Sequence, residues 1–143
     1  MMLEMANSVT AVGEAMRQRL AGLPQETCWL IAVNTQLHIL EMNQIAQGTL
    51  DEVNVHPRDI FRRLIALNAY GFIVVHNHPS GSLTPSPADC QMVERLAICS
   101  SLMQMHFFDF IIVSQQGYYS WQKEADLPQI SVETLFDLWT KNV

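Results

Sequence analysis

Two histidines one residue apart, His76 and His78, are followed after ten intervening residues by an aspartate, Asp89. Imidazole nitrogens and a carboxylate oxygen are donors that zinc accepts, and three protein ligands with a fourth position open is a hydrolytic rather than a structural arrangement. The histidines close an apolar run, Phe72, Ile73, Val74 and Val75, that reads as a buried strand, so a period of two projects both rings to the same side of a sheet. Pro79, Ser80 and Gly81 then require a sharp turn. A lone histidine at a strand end is more often a satisfied polar group. A same-side pair before such a turn favours metal.

Asp89 has a competing local explanation. Ser86, Pro87, Ala88 and Asp89 read as the cap and first three residues of a helix, with proline where it is tolerated. Asp89 would then merely return a hydrogen bond to Ser86. A carboxylate in the first helical turn is also held anionic by the helix dipole, and the two roles can share its two oxygens.

Other sites carry two histidines at this spacing. H-N-H nucleases draw them from separate elements and need positive charge that this chain lacks. Amidohydrolase barrels need about 250 residues. A cupin would want a glutamate shortly after the pair, and residues 79–82 contain no carboxylate.

The elements that must position these residues are legible from periodicity. Val9, Val12, Met16 and Leu20 make a helical stripe over residues 8–20, ended by Gly22 and Pro24. Residues 28–33 form a central strand, and 37–45 a second strand paired with it as a hairpin through a turn at 34–36. Pro57 opens a helix through Ala69 with Ile60, Leu64 and Leu67 inward. A helix from Ser86 to about Leu102 turns Met92, Leu96 and Cys99 or Leu102 to the core. A strand over 106–114, a turn at Gly117, a short strand over 118–121 and a helix over 132–139 complete the chain. Helices alternating with strands, plus a hairpin, predict an α/β (α+β) fold in which a mixed β-sheet is flanked by helices.

At 143 residues, the chain has room for one domain, and 49% hydrophobic against 15% charged residues predicts a compact core. The net charge of -6, with one basic cluster at Arg58, Arg62 and Arg63, argues against a nucleic-acid surface. Three cysteines, Cys28, Cys90 and Cys99, are odd in number and lack C-x-x-C spacing, which points to a reducing compartment and to no required thiol chemistry. No secretory leader and no window of about 20 apolar residues is evident, so the expected location is the cytoplasm.

H-x-H, seven residues, Ser, two residues, Asp is the pattern of the JAMM metal site in JAB/MPN+ proteases, and HNHPSG followed by PS-x-x-D resembles the RadC-like branch. The resemblance runs from about Ser8 to Trp121 and includes GTL-x-x-x-x-V-x-PR at 48–58. It implies a JAB/MPN domain over 1–143, with a core of about 8–121 and a C-terminal helical extension over 122–143, in a three-layer α/β/α fold similar to cytidine deaminases. It also implies zinc held by His76, His78, Asp89 and water, and hydrolysis of a peptide or isopeptide bond in a peptide or protein substrate.

The family places a glutamate just before its first core strand, where it orients and deprotonates the water. Glu26 matches that position, with Glu41, Asp51 and Glu52 as competitors. Ser86 matches the family serine that stabilises the tetrahedral intermediate. The chain departs from the RadC-like pattern at Asp109-Phe110, where Asp-His is usual, and at Asn43-Gln44, where an acidic pair is common. Neither departure changes a proposed ligand; they bear on the surroundings of the ligands or on partner contacts and leave the metal site itself intact. Two further readings stand beside the hydrolase: a non-catalytic metal-binding or protein-interaction scaffold, and a DNA-repair accessory suggested by the family name. Longer members carry an N-terminal helix-hairpin-helix module for which this chain has no room, which weakens the DNA reading. Oligomeric state is left open.

Overall fold

The structure is a computed structural model that describes residues 3–48 and 55–141. Its centre is a five-stranded mixed sheet ordered β2-β1-β3-β4-β5. The strands are β1 (Thr27–Val33), β2 (Ile39–Gln47), β3 (Gly71–Asn77), β4 (His106–Ser114) and β5 (Gly117–Ser120). Among the described strands only β3 and β4 run parallel; the other neighbours are antiparallel.

The expected layering follows from strict alternation along the three central strands. Leu30, Ala32, Phe72, Val74, Phe110 and Ile112 face α2 (Pro57–Ala66) and α3 (Pro87–Met103). Ile31, Val33, Ile73, Val75, Ile111 and Val113 face α1 (Val9–Leu20), which supplies Val12, Met16 and Leu20. Burying both faces explains why these strands are continuous apolar runs. Each of these side chains apart from Ala32 stabilises the fold by about 1.5–3 kcal/mol. At Gly13 of α1 a Cβ would lie 2.7 Å from the Tyr118 ring, so the helix seats on β5 only because that residue is glycine.

Several boundaries differ from expectation for local reasons. The hairpin turn is longer than 34–36: the Asn34 side chain accepts from the N–H groups of Gln36 and His38, and Leu37 takes φ 63°, so β2 starts at Ile39. Helix α2 stops at Ala66 because Asn68 adopts φ 50°. The N–H groups of Asn68 and Ala69 then donate to the carbonyls of Ile65 and Leu64, a Schellman end that leaves Leu67 half-buried. On α3, Leu96 is buried with Met92 and Cys99 packed beside it as expected, Val93, Ala97 and Ser100 complete the inner face, and the alternative Leu102 is 65% exposed. Trp121 opens a short helix, α4 (Trp121–Glu124), instead of ending the last strand, because Ser120 accepts from Lys123 N–H and Asp109 accepts from Gln122 N–H. The last helix, α5 (Val132–Lys141), lies where periodicity placed it. No described helix is long and apolar enough to cross a membrane.

Candidate metal centre

Strand β3 is buried along its whole length and delivers His76 within the strand and His78 just past its end. His78 stays in line because its N–H donates to Val113 O at 2.9 Å, one step beyond the β3–β4 ladder. The turn follows at once: Gly81 N–H donates to His78 O, with Gly81 at φ 91°, where glycine carries no penalty. Leu83, packed against the α2/α3 core, anchors the loop before α3 begins.

The start of α3 is a full capping box. Ser86 Oγ accepts from Asp89 N–H at 3.1 Å, and Asp89 Oδ2 accepts from Ser86 N–H at 2.8 Å. The capping role anticipated for Asp89 is therefore present, and both of its oxygens also face the histidines. Oδ2 serves the cap and also lies 3.1 Å from His78 Nε2, while Oδ1 lies 2.8 Å from His76 Nδ1.

His76, His78 and Asp89 are 6%, 7% and 2% exposed, and each offers a ligand atom within 4.8 Å of the others. His78 Nδ1 lies 3.0 Å from the Ser82 carbonyl. That contact requires the proton on Nδ1 and so leaves Nε2 with a lone pair toward the cluster when the ring is neutral.

Glu26, immediately before β1, reaches the same place. Its Oε2 lies 3.3 Å from His76 Nε2, close enough for ionic attraction but off hydrogen-bond alignment. Nε2 is thus a fully buried side-chain nitrogen with no hydrogen-bond partner among the described residues. A buried orphan beside two imidazoles and a carboxylate suits a bound cation, and this donor set fits zinc.

The charges are tightly linked. Burial opposes a charged His76, but the Asp89 and Glu26 carboxylates outweigh it and push its pKa up to about 9. Burial likewise opposes the Asp89 carboxylate, and the hydrogen bond and charge of His76, with the Ser86 backbone N–H, nonetheless hold it well below the usual range. Cys28 sits opposite His76 in the β1–β3 register. Burial, then the Asp89 charge, push its thiol up to about 12, so it stays protonated in the metal-free protein.

Of the competitors for the base, Glu41 on β2 is held by Arg63 of α2, away from the cluster, and Asp51 and Glu52 lie outside the described residues, as does most of the 48–58 motif. The departure at Phe110 bears on the surroundings of a candidate ligand: its ring packs edge-on to His76, with centroids 6.4 Å apart, and to Trp121 at 6.1 Å. Asn43 and Gln44 line a groove of about 710 Å³ between β2 and α2, with Asp59, Arg62 and Arg63. Asn77 stands outside the residues singled out by spacing, yet it is 1% exposed. The available signal was a polar side chain inside a strand otherwise buried on both faces.

A mixed sheet between helices, with two strand histidines meeting a helix-start aspartate, is the architecture expected of a JAB domain. The chain belongs to the RadC-like JAB domain family, which it matches over residues 6–127. It is 41% identical over 110 residues to a UPF0758 protein of Thermotoga maritima, covering 77% of this chain and 50% of that protein. A UPF0758 protein of Enterococcus faecalis is 36% identical over 113 residues, 79% of this chain and 49% of its own length. One of Paraburkholderia xenovorans is 34% identical over 122 residues, 85% and 48% respectively. The chain spans about half the length of these relatives.

Proposed function

We propose that this protein is a zinc-dependent metallohydrolase of the JAMM type that cleaves a peptide or isopeptide bond. The observation that carries the reading is the convergence of Glu26 on the His76-His78-Asp89 cluster, with Oε2 3.3 Å from a buried and otherwise unpartnered His76 nitrogen. When bound by the three residues, zinc would supply a nucleophile from water near neutral pH and polarise the scissile carbonyl.

The remaining work falls to the chain. Glu26 would accept a proton on its carboxylate and return it to the leaving amine, acting in turn as base and acid. The Ser86 hydroxyl oxygen is occupied by Asp89 N–H, which leaves the hydroxyl proton available to a developing oxyanion. The Ser82 carbonyl fixes the tautomer of His78. The expected partner is a peptide or protein, and the net charge of -6 disfavours nucleic acid.

Substituting Glu26→Gln separates binding from chemistry. The variant should load zinc as the parent does and lose about 100- to 10,000-fold in cleavage of peptide and isopeptide substrates. Undiminished cleavage would remove Glu26 from the mechanism.

A further inference from the structure

The residue between the two histidines points to the opposite side of β3. Asn77 is 1% exposed, and its carboxamide is fully engaged with the segment that carries Glu26. Oδ1 accepts from the Thr27 N–H at 2.7 Å and from the Thr27 hydroxyl at 2.5 Å. Nδ2 donates to the Gln25 carbonyl at 2.9 Å. The N–H of Thr27 and the carbonyl of Gln25 belong to the two peptide groups that flank Glu26. One side chain therefore grips the backbone on both sides of that glutamate.

The register shows why such a grip is needed. The β1–β3 ladder ends at the pair Cys28–His76, so the backbone of β3 does not hold the residues before Cys28. Asn77 supplies in its side chain the donor and acceptor that another ladder step would have supplied. The contact is stiffened further out, because Trp29 Nε1 donates to Thr27 Oγ1 at 3.0 Å and directs the hydroxyl proton to Asn77. On the other side, Gly48 N–H donates to the Glu26 carbonyl at 2.9 Å. The backbone of Glu26 is fixed from both neighbouring strands while its carboxylate faces His76.

We infer that Asn77 is a positioning residue for Glu26, locking the glutamate to the strand that carries both histidines so that base and ligands share one rigid frame. The inference rests on the hydrolase reading only for the name of Glu26's role. The grip itself is independent of turnover. A buried carboxamide satisfied at both ends has high geometric specificity, since losing either end leaves an unpaired buried group. Glutamate misplacement of about 1 Å can cost on the order of 100-fold in rate.

The test is a crystal structure and zinc titration of Asn77→Ala, with Asn77→Asp as the second variant. Asn77→Asp keeps the shape and the acceptor for Thr27 and removes the donor to Gln25. The expected result is zinc bound at the parent's stoichiometry with the Glu26 carboxylate displaced from His76. With any substrate the parent cleaves, kcat should fall about 100-fold at unchanged KM, and adding the substitution to Glu26→Gln should lower kcat no further. A Glu26 carboxylate that keeps its place in both variants would overturn the inference, whether or not the parent proves to be a hydrolase. So would full additivity with Glu26→Gln. If Asn77→Ala fails to fold, the Asn77→Asp structure decides alone.

Discussion

Ser86 clamps the carboxylate of Asp89 through the same oxygen that faces His78: Oδ2 accepts from the Ser86 N–H at 2.8 Å and lies 3.1 Å from His78 Nε2. The helix cap and the candidate ligand are thus one structure. Replacing Ser86 with alanine removes the hydroxyl but keeps the backbone donor to Asp89. The expected cost is about 1 kcal/mol in stability, with zinc retained and turnover reduced about 100- to 1,000-fold. Chemical denaturation, zinc titration and steady-state kinetics on the one variant check all three.

Asp89 itself has no tolerable truncation. It is the acceptor for His76 Nδ1 and for the Ser86 N–H and the partner of His78, all in a site that is 2% exposed at the carboxylate. Asp89→Ala should destabilise the metal-free protein by about 3–5 kcal/mol, the usual consequence of stranding one side of a buried ion pair, and should abolish zinc binding. Urea unfolding in the presence of a chelator measures the first effect. A loss under about 1 kcal/mol would mean that the cluster is not ion-paired in solution.

The stability of the metal-free protein should depend on pH in a defined way. His76 rises from 6.5 in an unconstrained chain to about 9 in the fold, because the neighbouring carboxylates outweigh its burial. Its contribution is fully present below 6.5 and is lost as pH climbs through about 9. Asp89 is shifted the other way, so its contribution is present above 3.8 and is lost as pH falls below that value. Zinc must also displace the His76 proton, and binding near neutral pH should release about one proton per ion. Urea midpoints across the alkaline range, and calorimetry in buffers of different ionisation enthalpy, test the two halves. Flat stability between pH 6.5 and 9 would contradict the ion-paired cluster.

A second buried carboxylate gives the opposite sign. Asp109 is 3% exposed, and its oxygens accept from the N–H groups of Phe110 and Gln122 and from the Ser120 hydroxyl. Burial raises its pKa against those hydrogen bonds. A folded-state value above the unfolded 3.8 means that stability is lost as pH rises through that interval. Asp109→Asn preserves an oxygen for the two N–H groups, and the Ser120 hydroxyl can turn to accept from the new amide. The variant should gain stability relative to the parent as pH rises above 3.8, read from thermal midpoints at acid and neutral pH. A deficit that widens over the same range would contradict this.

The sheet and the cluster were legible because each depends on local pattern. The continuous apolar runs at 28–33 and 72–75 announce strands buried on both faces, and the two histidines inherit a common face from the period of the strand. The capping box is equally local, since Ser86 and Asp89 are three residues apart. What escaped notice depends on contacts distant in sequence. Asn77 grips Thr27 across 50 residues, and Phe110 reaches His76 from a neighbouring strand. The short helix at Trp121 hangs on Asp109, thirteen residues before Gln122, and no periodicity in YYSW discloses it. The match of Glu26 rests on resemblance rather than on pattern, because a glutamate ahead of a strand is ordinarily solvated.

If His76, His78 and Asp89 hold a metal ion, elemental analysis of the purified protein beside a His76→Ala/His78→Ala control will read it out. The expected result is about one zinc per parent chain and none in the control. No metal in either protein, even after zinc is supplied, would contradict it and leave Glu26 without a water to activate.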